Sequence, residues 1–153
     1  MSKRFFIALI IMLLCCVPVW AQSAKNNAAD NIVGLYEGVQ DGYKFRAKFE
    51  KEPSGTYRAQ VVWMEKDRDA KGRKLLDEKN PDHSLRKTPC DRIVLIAGLR
   101  YDSRKHHWGD TKIYDPLRGI KAKVTCHFEN DNTLVVKGSL LGISESVKWR
   151  KIS

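Results

Sequence analysis

The chain has 153 residues and a formal charge of +10, from 28 lysines and arginines against 18 acidic residues. This is the length of one ordinary domain, long enough to bury a core without disulfide or metal staples. The basic excess does not select a nucleic-acid partner, because the chain opens with an export pattern.

Lys3 and Arg4 form a short positive stretch, and an apolar run from Phe5 to Trp20 follows, broken by Pro18. Val19-Trp20-Ala21 then places small residues at the −3 and −1 positions for a signal peptidase. The pattern predicts a signal peptide over residues 1–21, cleaved after Ala21, and a periplasmic or secreted product. The run is shorter than the ~20 residues a spanning helix needs, so no transmembrane anchor is expected after processing. Cys15 and Cys16 lack the small preceding residue that lipoprotein processing prefers. Cleavage takes two basic residues with it and leaves a charge of +8. Cys90 and Cys126 are then the remaining cysteines. Export permits a disulfide between them, and two separate buried thiols are the alternative.

Residues 22–31 are polar and small, without periodicity, and read as a flexible lead-in. From Ile32 onward the pattern is that of strands. Phe45, Ala47 and Phe49 interleave with charged residues; Tyr57, Ala59, Val61 and Trp63 share a face. Ile120, Ala122, Val124, Cys126 and Phe128 alternate with polar partners, as do Leu134, Val136, Gly138 and Leu140 with their own neighbours. Strand side chains alternate faces, so each segment has a dry side and a wet side. Asp41-Gly42, Pro53-Ser54-Gly55, Asp115 to Gly119, Asn130-Asp131-Asn132 and Leu141-Gly142 punctuate the strands as turns. Eight strands are predicted, near 32–39, 43–51, 56–66, 92–102, 106–114, 119–129, 133–140 and 144–152. The fold class is all-β: an antiparallel eight-stranded up-and-down barrel over 32–153, because closure removes the exposed edges of such a sheet. A two-sheet sandwich is the alternative. The long charged segment at residues 66–91 is out of scale for a hairpin, and Leu75, Leu76 and Leu85 are candidates to pin it to the barrel.

Four pieces carry a family resemblance: Asn80-Pro81-Asp82 with Leu85-Arg86 and Pro89; Trp108-Gly109 before Ile113-Tyr114-Asp115-Pro116 and Gly119; Leu134 to Gly138 before Leu140-Leu141-Gly142; and Val147-Lys148-Trp149. Together they resemble the bacterial domain of unknown function 2147 family, across about residues 32–152. The resemblance implies a signal peptide and a lipocalin-like, calycin-type barrel, and it implies no established activity. Gly34-Leu35-Tyr36 and Cys90-Asp91 depart from the family's usual residues. In barrels of that kind a basic residue of the last strand often covers an aromatic of the first, here Lys148 or Arg150 over Tyr36.

The chemistry-bearing residues are sparse. Asp67, Asp69, Lys71, Gly72 and Glu78 imitate a calcium loop, but Lys71 puts a positive charge where an oxygen is needed. His106 and His107 point to opposite faces of a strand and cannot chelate one ion. No nucleophile signature is present, so neither metal, cofactor nor catalytic residue is expected. Phe45, Phe49, Tyr57, Val61, Trp63, Val124, Phe128 and Val136 are the candidate barrel lining, and equally the candidate core. Asn80, Asp82, Trp108, Tyr114 and Asp115 are candidates for the mouth and its loops, with Asn80-Pro81-Asp82 read first as a turn and Asp115 as a hairpin cap. Two functions follow. One is a module binding a small apolar or amphipathic ligand. The other is an envelope structural or interaction protein whose basic outer wall, including Lys44, Arg46, Lys48, Lys121, Lys123 and Lys137, meets an anionic envelope component.

Overall fold

The computed structural model describes residues 23–153; the predicted signal peptide at 1–21 lies outside them. Eight strands follow in chain order: β1 (Gly34–Gln40), β2 (Tyr43–Lys51), β3 (Tyr57–Met64), β4 (Val94–Asp102), β5 (His107–Asp115), β6 (Ile120–Asn130), β7 (Thr133–Leu140) and β8 (Ile143–Lys151). Each pairs antiparallel with its neighbours and β8 returns to β1, giving the closed up-and-down barrel that the alternation predicts.

The alternation places Ala47 and Phe49 of β2, Tyr57, Ala59 and Val61 of β3, and Val124, Cys126 and Phe128 of β6 in the core. Trp63 is a correction. Arg46 pairs with Trp63 and Ala47 with Val61, so Val62 is an extra residue that reverses the facing of everything after it. Trp63 therefore stands on the outside, 40% exposed, with the Arg46 guanidinium 4.9 Å from its ring centroid. Met64 takes the inward place, opposite Phe45.

One end of the barrel is sealed. The polar lead-in, expected to be flexible, forms two 3-10 turns, Ala24–Asn27 and Ala29–Ile32. Asn26 is fully buried, and its side chain acts as a missing strand: Nδ2 donates to the Phe128 carbonyl at 2.8 Å and Oδ1 accepts from the Phe128 N–H at 2.7 Å. Trp108 Nε1 donates to the Ala29 carbonyl and the Tyr101 hydroxyl to the Asn26 carbonyl. Because side chains hold this plug, it carries no hydrophobic period.

Lys151, rather than Lys148 or Arg150, covers Tyr36. Its Nζ lies 5.7 Å from the Tyr36 centroid and 5.9 Å from that of Phe128, and donates to the Asn31 and Val33 carbonyls at 2.8 Å. Burial lowers the Lys151 pKa from the ordinary lysine value. Arg150 turns outward to Glu37 at 3.0 Å, and Lys148 to Glu129 at 2.8 Å.

The expected choice at the cysteines resolves as two free thiols. Cys126 sits inside β6 opposite Trp108 and Val136, where burial pushes its pKa up to about 12. Cys90 lies in the 3-10 turn Cys90–Arg92, at the end of the long loop, and belongs to the other end of the barrel.

Candidate functional site: the open mouth

The opposite end of the barrel is not sealed, and the reason lies in the closing seam. β1 and β8 pair at Tyr36↔Lys151 and Glu37↔Arg150, with Leu35 bonded to Ile152 and Ser153 on the plugged side, whereas β1 and β2 pair at seven positions from Gly34 to Gln40. Beyond Glu37 the seam is open. Val147 and Ile143 face the same side as the inward Val136 and Leu140 opposite them, yet they are 48% and 71% exposed.

A cavity of about 610 Å3 opens here. Its apolar wall includes Phe45, Leu95, Ile113, Val136, Val147 and Trp149. Phe45 and Trp149 meet edge to face with centroids 5.6 Å apart. Both press against Gly38, where a Cβ would fall 2.6 Å from Phe45 and 2.9 Å from Trp149. Trp149 continues to Phe49, Phe49 to Tyr36, Tyr36 to Phe128 and Phe128 to Trp108, so the cavity stands on a chain of edge-on and tilted rings. A second cavity of about 410 Å3 adjoins it through Gln40, Asp41, Phe45, Leu95, Pro116 and Leu117, and reaches Val61, Met64, Leu75 and Ile93 under the long loop.

Four carboxylate or guanidinium groups line the larger cavity: Asp41, Asp115, Arg118 and Glu145. Arg118 reaches across the mouth from the β5–β6 turn, its nitrogens 3.1 and 3.5 Å from the two Glu145 oxygens and 3.6 Å from Asp115. Glu145 stands opposite Gly138, which has no side chain to crowd it.

The long loop is fastened to the barrel by polar contacts. Asp77 is buried, accepting from the Tyr114 hydroxyl at 2.7 Å and from Asn80 Nδ2 at 2.7 Å. Burial and Asp77 raise the Tyr114 pKa above the ordinary phenol value. Gly119, at φ +67°, lets the Lys79 carbonyl approach to where a Cβ would sit at 2.3 Å. Leu75 and Leu76 line the smaller cavity, Leu76 partly exposed, while Leu85 stays exposed. The calcium-like stretch satisfies itself: Lys74 Nζ bridges Asp67 at 2.5 Å and Asp91 at 2.6 Å, and Asp69 accepts from Arg73. Among the described residues no group of three or more His, Cys, Asp or Glu is placed to hold a metal.

The predicted lining thus divides. Phe45, Val61 and Val136 border the two cavities. Phe49, Tyr57, Val124 and Phe128 are buried in the filled half, and Trp63 is outside. Of the predicted mouth residues, Tyr114 and Asp115 line the larger cavity. Asn80 and Asp82 build the loop's turns, accepting from the backbones of Asp82 and Ser84. Trp108 is a correction: it is buried at the sealed end, because its partner in register is Cys126 and its indole bonds the plug. Leu95, Ile113, Val147 and Trp149 were missed as lining. For Val147 and Trp149, an i, i+2 reading of β8 carries the signal; in β5 the bulge at Asp110 breaks the alternation before Ile113.

An antiparallel eight-stranded barrel, plugged at one end and holding an apolar cavity at the other, has a lipocalin-like fold. The chain belongs to the family described as uncharacterized protein conserved in bacteria (DUF2147), whose model matches residues 34–151. Among solved structures it resembles protein HP1028 from the human pathogen Helicobacter pylori, which belongs to the lipocalin family. The TM-score is 0.62 at 21% identity over 80% of this chain and 83% of that one, a likeness of fold. No curated protein matches the sequence.

Proposed function

We propose that this is an exported bacterial binding protein that takes a small apolar or amphipathic ligand in the open mouth of its barrel. The observation that carries the reading is the cavity of about 610 Å3, within the ~300–1,000 Å3 range of ligand pockets, with an apolar wall and a few polar groups at its rim. The fold and family support a binding role and supply no ligand. Export rests on the leader at Lys3 to Ala21.

The test is displacement of the neutral apolar fluorophore N-phenyl-1-naphthylamine by a panel of twelve-carbon amphiphiles, with mature wild-type protein and Ala122→Phe. Ala122 lines the cavity, and a ring there fills it. Wild type is expected to bind the fluorophore and Ala122→Phe, while still folded, to lose it. A folded wild-type protein that binds no member of the panel ends this reading and leaves a structural barrel. For export, the protein isolated from the cell envelope should begin at Gln22; an intact Met1 terminus in the cytosol would sink that part.

A further inference from the structure

The mouth has the opposite charge to the molecule around it. The larger cavity is lined by three carboxylates, Asp41, Asp115 and Glu145, and by one cation, Arg118, a local balance of −2. The chain without residues 1–21 carries +8. The smaller cavity shares Asp41 and adds Asp77 and Glu78 against Lys44, Lys66 and Lys79, so the two linings together carry −1. The excess of negative charge therefore belongs to the rim of the larger cavity, where a ligand's head would rest while its apolar body lies against Trp149, Phe45 and Val147.

We infer that the ligand of this cavity is an amphiphile with a positively charged head, an ammonium or guanidinium on an apolar body. The inference rests on the cavity being a binding site. The chain already shows how a cation is held there: the Arg118 guanidinium spans the mouth to Glu145 and Asp115. That pairing is exposed, with Glu145 at 65% side-chain exposure, so it is weak and exchangeable. A ligand ammonium entering between Asp41 and Glu145 brings the local balance to −1. A carboxylate head takes it to −3, and must pull Arg118 from Glu145 while three other carboxylates stand around it. The wall excludes a fully polar cation, since Leu95, Ile113, Val136 and Trp149 offer it no hydrogen bonds to replace those of water.

The experiment compares three molecules with one tail and three heads: dodecylammonium, dodecanol and dodecanoate. Each displaces N-phenyl-1-naphthylamine from the mature protein at neutral pH and low ionic strength, below its aggregation threshold. Dodecylammonium is expected to bind about fivefold tighter than dodecanoate, with dodecanol between them, and added salt should shrink the difference. The double variant Asp41→Asn, Glu145→Gln should erase the preference with the unfolding midpoint unchanged, because both residues are exposed. Arg118→Gln should enlarge it, by removing the internal competitor. Equal displacement by the three heads, or tighter dodecanoate that weakens in Arg118→Gln, overturns the cationic-ligand inference and leaves the cavity reading intact. Failure of the fluorophore and all three heads to bind overturns both.

Discussion

The two halves of this barrel are built from the same eight strands and differ in what fills them. In the half next to the N-terminal plug, Tyr36, Phe49, Trp108, Phe128 and Leu134 are all essentially inaccessible, and Asn26 completes the backbone pairing of β6. In the other half the same alternation points Ile143 and Val147 inward and no side chain covers them. The hairpin tips differ in the same sense. Pro53-Ser54-Gly55, Ser103-Arg104-Lys105 and Asn130-Asp131-Asn132 are polar at the plugged end, whereas Leu117 and Leu141 stand exposed at the open end, Leu141 at 93%. Alternation decides which residues face in; whether they form a core or a cavity depends on how many large rings meet there and on whether the seam between first and last strands closes.

If stability resides in the plugged half and binding in the open half, substitutions should separate the two properties. The largest effect is expected from Phe128→Ala, at about 3–5 kcal/mol, because its ring contacts those of Tyr36 and Trp108 and leaves a void. Denaturant unfolding measures it, and the loss should be the same with or without a ligand in the mouth. Asn26→Ala should follow at about 2–4 kcal/mol, since it orphans the buried N–H and C=O of Phe128. A loss below about 0.5 kcal/mol would mean that the plug is not part of the stable unit.

In the open half, Val147→Ala should change stability by less than about 1 kcal/mol, because its side chain is already half exposed, while weakening fluorophore binding. Equal stability losses at Val147 and Phe128 would abolish the distinction between the halves.

Alkaline pH offers a milder probe of the buried groups. Burial raises the pKa of Cys126 to about 12 and of Cys90 to about 11, and pushes Tyr36, Tyr57 and Tyr114 above the ordinary phenol value of 10.0. The folded state therefore keeps protons that the unfolded chain releases, first from the thiols near their ordinary value of 9.0 and then from the phenols. With fewer protons bound in the unfolded state, stability falls as pH rises above about 9. A Tyr36→Phe variant should flatten the upper part of that decline; an unchanged slope would place its phenol in solvent.

The strands were legible because the segments of β2, β3, β6 and β7 alternate with a two-residue period and short turn signals separate most of the eight, and the observed bounds lie within two residues of the expected ones. Trp63 was misplaced because a bulge at Val62 reverses facing without leaving a hydrophobic mark. Trp108 was misplaced because family order says nothing of which end of a strand lies in the mouth. The plug escaped notice since its hold on the barrel comes from one asparagine, a few carbonyls and the single buried Ile32, which no periodicity reports. Of the site, Phe45, Val61, Val136, Tyr114 and Asp115 were within reach of alternation and turn chemistry. The cavity itself was not: it depends on a seam that pairs at two positions and then parts, a relation between residues more than a hundred positions apart.

That parted seam has a consequence for the exchange of amide protons with solvent. The Lys151 amide donates to Asn132, on the β7 side, and the Ile152 amide donates to Leu35, on the β1 side. Amides alternate along a strand, so those of Glu145 and Val147 point to β7, while those of Ser144, Ser146 and Lys148 point to β1 and find it gone. The β8 strand should then read as a comb in a deuterium-labelling experiment, every second tooth exchanging rapidly between residues 144 and 148, with the comb ending where Arg150 meets Glu37. A ligand that drew the two edges together would blunt the teeth, and the labelling pattern would show that closure from the backbone alone.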